Sequence, residues 1–206
     1  EALEFLERCQ CLRMFAEIAA RRSQQVKRLT RGAIGNSRGG RLFCSLEIAA
    51  LQAGKTVALV SDAGTPLVSD PGYRLVRQAH EAGIKVVPIP GASAVTTALV
   101  ASGLPSDAFF FAGFLPQKEK ARAERLEELV RVPGTLILFE APHRIAASLA
   151  AMAEVFPERE AAVCRELTKM HETIYRGSLP ELSARFAAMT EVRGEIVVCI
   201  APPPAD

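Results

Sequence analysis

Between Arg165 and Glu172 the chain reads Arg-Glu-Leu-Thr-Lys-Met-His-Glu, with six ionisable or hydroxyl side chains in eight positions. Glu166, Lys169 and His171 are the groups of that run that can move a proton or orient a hydroxyl. A lysine there can also stabilise a developing alkoxide. The competing reading is a charged hairpin edge that resists aggregation.

A second chemistry sits earlier. Ser61-Asp-Ala-Gly-Thr-Pro-Leu-Val-Ser-Asp-Pro-Gly72 follows the apolar run Val57 to Val60. Glycine lets the backbone approach a ligand closely, and Asp62 offers an acceptor. Pro90-Gly91-Ala92-Ser93 makes a similar small-residue turn after the next apolar run. In open α/β sheets such strand ends line a ligand crevice. Ser61, Asp62, Ala63, Gly64, Thr65, Pro90, Gly91, Ala92 and Ser93 are therefore the candidate binding residues. Neither turn is GxGxxG or GxxxxGK[ST], which argues against a dinucleotide or nucleoside triphosphate.

Two cationic features remain. Arg144, in Glu140-Ala-Pro-His-Arg144, stands where an arginine can grip a phosphate or carboxylate with both arms. The alternative is a structural Arg–Glu pair at a helix start. Lys118, Arg122 and Arg125 recur at i, i+4 and i+7, one side of a helix that either contacts phosphate or is simply solvated.

Elements that could position these groups alternate between strand and helix. Strands are expected at Thr56–Val60, Lys85–Ile89, Phe109–Phe111 and Thr135–Phe139, then at Ala161–Glu166, Glu172–Arg176 and Glu195–Ile200. Helices are expected at Leu46–Gln52 and from Asp70 to about Ala82, with Asp70 as cap and Pro71 at the first position. Further helices are expected at Ala94–Ser102, about Lys118–Val130, Ile145–Phe156 and Pro180–Met189. The short link at 167–171 makes its two strands antiparallel. The reading is α/β: a parallel sheet in the first half and a mixed sheet in the second. Residues 1–44 form an atypical basic segment whose first 22 could make one helix. Residues 45–113 form a cofactor-binding domain, incomplete at its start, and 114–206 a substrate domain.

Composition narrows the classes. Only 6% of residues are aromatic and Trp is absent, so broad base-stacking surfaces are not expected. Residues 1–45 carry nine Lys/Arg against four Asp/Glu, while the whole chain has a net charge of +2. No transmembrane helix or secretion signal is read. The five cysteines lack zinc-ligand spacing, and no metal is expected. Reduced cytosolic thiols suit a cytoplasmic protein.

Taken in order, Val60 to Gly72, Pro90 to Ala94, Gly113-Phe-Leu-Pro116, Glu140 to Arg144, Arg165 to Lys169 with His171-Glu172, and Arg193-Gly-Glu-Ile196 resemble the blocks of the ribosomal RNA small subunit methyltransferase I family. That family is similar in fold to the tetrapyrrole methylases. The resemblance covers about residues 45–201. It implies S-adenosylmethionine as cofactor, held by the turns at 61–65 and 90–93. It implies 2′-O-methylation of a cytidine ribose in 16S ribosomal RNA, with Glu166, Lys169 and His171 in the chemistry. Arg144, Arg165, Lys118 and Arg122 would contact RNA, and a homodimer is implied. Ala141 replaces the serine of the family's Glu-Ser-Pro-His-Arg pattern. The family's opening strand with Pro-Ile-Gly-Asn-Leu, and its Glu-Asp-Thr-Arg block, are not found in order within residues 1–44, as in a frame-shifted or truncated start.

Two other functions compete. A tetrapyrrole-type small-molecule methylase would need a broad apolar trough. A non-catalytic RNA-binding or dimerisation remnant would follow from the altered start. Phosphate-ester chemistry on a nucleotide lacks its metal-binding carboxylates.

Overall fold

A computed structural model describes residues 40–59 and 64–204. The expected helix within residues 1–22, and Ser61, Asp62 and Ala63, lie outside the described residues. The chain divides into two compact units, 1–92 and 93–206.

In the first unit, α1 (Gly40–Gln52) and α2 (Tyr73–Glu81) are the described helices. Helix α1 begins earlier than expected from Leu46. Helix α2 begins later than expected, with Gly72 rather than Asp70 as its cap. At φ +132° Gly72 lies outside the helical region, so the helix cannot begin before Tyr73. A Cβ there would stand 2.6 Å from Leu59 Cδ2. Only glycine reaches that backbone conformation without strain.

The two strands expected in this unit, and with them the parallel sheet of the first half, are not formed among the described residues. Among the described residues, 56–59 and 84–90 run as irregular chain rather than as strand. A strand exists only as a pairing, and Val87 and Ile89 remain 65% and 45% exposed.

The second unit holds one five-stranded mixed sheet in the order β1-β2-β5-β3-β4. Its elements run α3 (Ala94–Ser102), β1 (Phe109–Phe114), α4 (Glu119–Leu129), β2 (Thr135–Glu140), α5 (Ile145–Val155), β3 (Glu160–Arg165), β4 (Thr173–Ser178), α6 (Leu179–Ala187) and β5 (Ile196–Ile200). Strands β1 and β2 are parallel, and the other pairs antiparallel, including the expected β3–β4 hairpin. The domain boundary was expected near residue 113. The compact units part instead at Ala92/Ser93, because β1 is hydrogen-bonded to β2 and α3 packs on β5 and β3.

Period-two alternation assigns the two faces. Leu136, Leu138, Val163, Val198 and Ile200 pack with Leu126, Leu149, Met152 and Phe186 from α4, α5 and α6. Ile137, Ala162, Cys164, Val197 and Cys199 pack with Val95, Ala98 and Leu99 from α3. Strand β5 is therefore apolar at every position and buried on both faces.

Candidate active site

In the first unit the two turns meet. Thr65 Oγ1 donates to the carbonyl of Ala92 at 3.0 Å. A Cβ on Gly64 would lie 3.6 Å from that same carbonyl oxygen, and one on Gly91 would meet nothing within 4 Å. The turns expected to share a ligand are thus brought together at Gly64, Thr65, Gly91 and Ala92, with open space beside Gly91. Leu67 and Ser69 hold φ of +75° and +55° in the connecting loop. Non-glycine residues in that region cost about 1–3 kcal/mol each and concentrate at ligand sites.

Ser93 begins the second unit as the cap of α3, in extended backbone. Its carbonyl accepts the Thr97 amide at 3.0 Å and the Thr97 hydroxyl at 2.8 Å. Ser93 is fixed by its own helix.

The β3–β4 hairpin gathers the proposed chemical groups. Lys169 Nζ stands 3.0 Å from Glu166 Oε1 and 3.1 Å from Glu195 Oε2. Glu166 Oε1 also accepts the Glu195 amide at 2.8 Å. That amide first, and Lys169 second, hold the Glu166 carboxyl below its ordinary range. The Glu166 carboxylate first, and Glu195 second, push the Lys169 ammonium above its ordinary value. Lys169 is accordingly a fixed cation and Glu166 a fixed anion, so neither is a ready proton acceptor. His171 is exposed, and among the described residues no hydrogen bond or ion pair holds its ring. Glu166 and Thr168 have φ of +52° and +63°, the strained backbone that accompanies functional loops. Thr168 is further fixed by its amide, which donates to Glu172 Oε2 at 2.6 Å.

The arginines are differently placed. Arg165 Nε donates to the Arg193 carbonyl at 2.6 Å, tying the end of β3 to the approach of β5. Arg144 Nη2 donates to the Leu115 carbonyl at 2.8 Å, and its Nε lies 3.4 Å from Glu140 Oε1. Glu140 is buried; it also accepts the Ala141 amide at 2.8 Å and the Ser148 hydroxyl at 2.5 Å. Arg144 is therefore a clamp between β2 and the segment after β1. Lys118 is exposed, whereas Arg122 is half-buried one turn further along α4. Arg125 is paired with Glu128 at 2.7 Å.

Two participants are not singled out by the sequence. Glu195 is the second carboxylate on Lys169. Gly194, with φ +94°, leaves room for the Glu166 carboxylate. Their signal is the Arg193-Gly-Glu-Ile196 block.

The family described as Tetrapyrrole (Corrin/Porphyrin) Methylases matches residues 2–183. A Mesorhizobium japonicum protein named ribosomal RNA small subunit methyltransferase I is 62% identical over 156 residues, 75% of this chain and 53% of that protein. The same-named protein of Mycobacterium bovis is 47% identical over 195 residues, covering 89% of this chain and 67% of its own length. This chain thus spans about half the length of several of the relatives it matches. Among solved structures, uroporphyrin-III C-methyl transferase from Thermus thermophilus, complexed with S-adenyl homocysteine, has a TM-score of 0.53 at 18% identity, covering 80% of this chain and 74% of that one. Diphthine synthase has a TM-score of 0.59 at 17% identity, covering 81% and 68%. At those identities the likeness establishes the fold. The chain belongs to the tetrapyrrole methylase family, in its ribosomal RNA small subunit methyltransferase I branch.

Proposed function

We propose that the chain takes part in S-adenosylmethionine-dependent 2′-O-methylation of a cytidine ribose in 16S ribosomal RNA. When bound, the cofactor supplies an electrophilic methyl group. Gly64, Thr65, Pro90, Gly91, Ala92 and Ser93 are the described residues that would hold it, and Ser61, Asp62 and Ala63 are assigned to it from the sequence alone. The open space beside Gly91 and the tie from Thr65 to Ala92 suit that role.

The observation that carries the reading is Lys169, an ammonium pinned between two carboxylates on an exposed hairpin. A cation fixed in this way stabilises negative charge as a ribose hydroxyl loses its proton. His171 is the group of the three suited to accept that proton; its ring is free to turn toward a bound hydroxyl, and a base positioned in that way contributes roughly 10²–10⁴-fold. Glu166 keeps Lys169 charged and in place. Lys118, Arg122 and Arg165 contact phosphate, which positions RNA without reading its bases. Arg144 supports that surface by its clamp. The donor-binding function is assigned to residues 45–113 and the acceptor function to 114–206, a functional division that does not coincide with the parting of the compact units at Ala92/Ser93. The working form is a homodimer on the small ribosomal subunit, in the cytoplasm. The relatives' names support the RNA substrate.

The test is transfer of labelled methyl groups from S-adenosylmethionine to small-subunit RNA lacking the modification, with the product nucleoside identified. Labelled 2′-O-methylcytidine supports the reading. Label on a base, or none, overturns it.

A further inference from the structure

Arg176 lies on β4, outside every block that carries the family resemblance. Its guanidinium nevertheless reaches the last turn of α3. Nε donates to the Ser102 carbonyl at 2.9 Å, and Nη2 donates to the Ala101 carbonyl. These carbonyls belong to the end of the helix, where intrahelical donors run out. A positive group there also complements the helix dipole. Ser102 is buried, so its carbonyl has little access to water in place of Arg176.

Helix α3 is only nine residues long, about 13 Å at 1.5 Å per residue. Too short to hold its position alone, it is seated by Val95, Ala98 and Leu99 on the sheet and by Arg176 at its end. Its first residue follows Ser93, the last member of the proposed donor turn. The Ser93 carbonyl is bound by the amide and hydroxyl of Thr97 and the hydroxyl of Thr96. A slip or fraying of α3 is thereby passed to Ser93.

We propose that Arg176 is a positioning residue for the donor turn, holding Ser93 in place through α3. The part of this proposal that concerns donor affinity rests on the assignment of residues 90–93 to S-adenosylmethionine. The part that concerns the order of Ser93 does not.

The experiment is hydrogen exchange at the Thr97 amide, which reports its bond to Ser93, with calorimetry against S-adenosylhomocysteine. Arg176→Ala, Arg176→Lys and Arg185→Ala are compared with the unaltered chain. Arg185 stacks on the Tyr175 ring at 4.5 Å and serves as a stability control away from α3. In Arg176→Ala the Thr97 amide is expected to exchange at least tenfold faster, and the S-adenosylhomocysteine Kd to rise about fivefold. Arg176→Lys should recover part of both, because a lysine supplies charge and donors without the planar fork. Arg185→Ala should change neither. If Arg176→Ala speeds exchange only around residues 101–104, the proposal is overturned. It is equally overturned if Arg185→Ala reproduces the effect. Should Arg176→Ala not fold, the same readings on Arg176→Lys decide: unchanged exchange at Thr97 sinks the idea. If the unaltered chain does not bind S-adenosylhomocysteine, the donor-site reading fails while exchange at Thr97 still judges the role of Arg176.

Discussion

A Cβ placed on Gly194 would stand 2.5 Å from Oε1 of Glu166. The two residues are 28 positions apart, yet the carboxylate that orders Lys169 occupies the space a side chain would take. Gly194→Ala must therefore displace Glu166, and must also adopt φ +94°. The expected loss is about 1–3 kcal/mol of stability, read by denaturant unfolding. Methyl transfer should fall further than the loss of folded protein explains. An unchanged rate in folded Gly194→Ala would remove Glu166 from the site.

The same carboxylate sets a pH dependence. A carboxyl whose pKa is lowered by folding adds stability above its ordinary value, and that addition disappears as pH falls through the lowered value. For Glu166 the ordinary value is 4.5, so the contribution is present at neutrality and lost in acid. Lys169 is raised above 10.5, so its contribution is present at neutrality and lost only as pH climbs through the raised value. Glu166→Gln should thus be less stable than the unaltered chain at pH 7, and the gap should close below the lowered value. A gap that widened in acid would contradict the pairing.

What the sequence made legible follows from how local each cause is. The α3 limits and the β3–β4 hairpin depend on neighbouring residues: Gly103 ends the helix in left-handed backbone, and a short link forces antiparallel pairing. The alternating faces of β2 and β3 are likewise written in period two. The apolar runs at Thr56–Val60 and Lys85–Ile89 predict strands, but a ladder needs a second chain segment that an apolar run does not specify. The cap at Gly72 rests on a φ of +132° that glycine alone tolerates, where a side chain would also collide with Leu59 and Leu67. Arg176 on α3 and Glu195 on Lys169 are contacts between distant segments, and no spacing rule announces them. Arg144 illustrates the remaining ambiguity. Its residue type suited phosphate and a clamp equally, and only the neighbouring carbonyls of Leu115 and Pro116 distinguish the two.

Thr65 links the donor turns through a single hydroxyl. Thr65→Val removes that donor while keeping the branched shape, leaving the Ala92 carbonyl without it. One such bond contributes about 0.5–1.5 kcal/mol. S-adenosylhomocysteine affinity should fall by roughly two- to tenfold, and Thr65→Ser should restore it. Equal affinity in Thr65→Val and the unaltered chain would mean that the tie between Thr65 and Ala92 does not shape the donor site.

Arg144 and Lys118 should separate into opposite behaviours. Arg144 Nη2 donates to the Leu115 and Pro116 carbonyls, and its Nε faces buried Glu140 at 3.4 Å. Arg144→Ala leaves that carboxylate uncompensated, at a cost of about 3–5 kcal/mol. Arg144→Lys should recover little, since one ammonium cannot reproduce the fork. Lys118 is exposed, and Lys118→Ala should leave stability within about 0.5 kcal/mol. On RNA the order reverses. A lysine that neutralises one phosphate contributes close to one unit to the slope of log affinity against log salt. Lys118→Ala should therefore flatten that slope by about one unit, whereas folded Arg144→Lys should leave it unchanged. A flattened slope in Arg144→Lys would mean that the clamp releases a donor to RNA, and an unchanged slope in Lys118→Ala would take Lys118 off the RNA path.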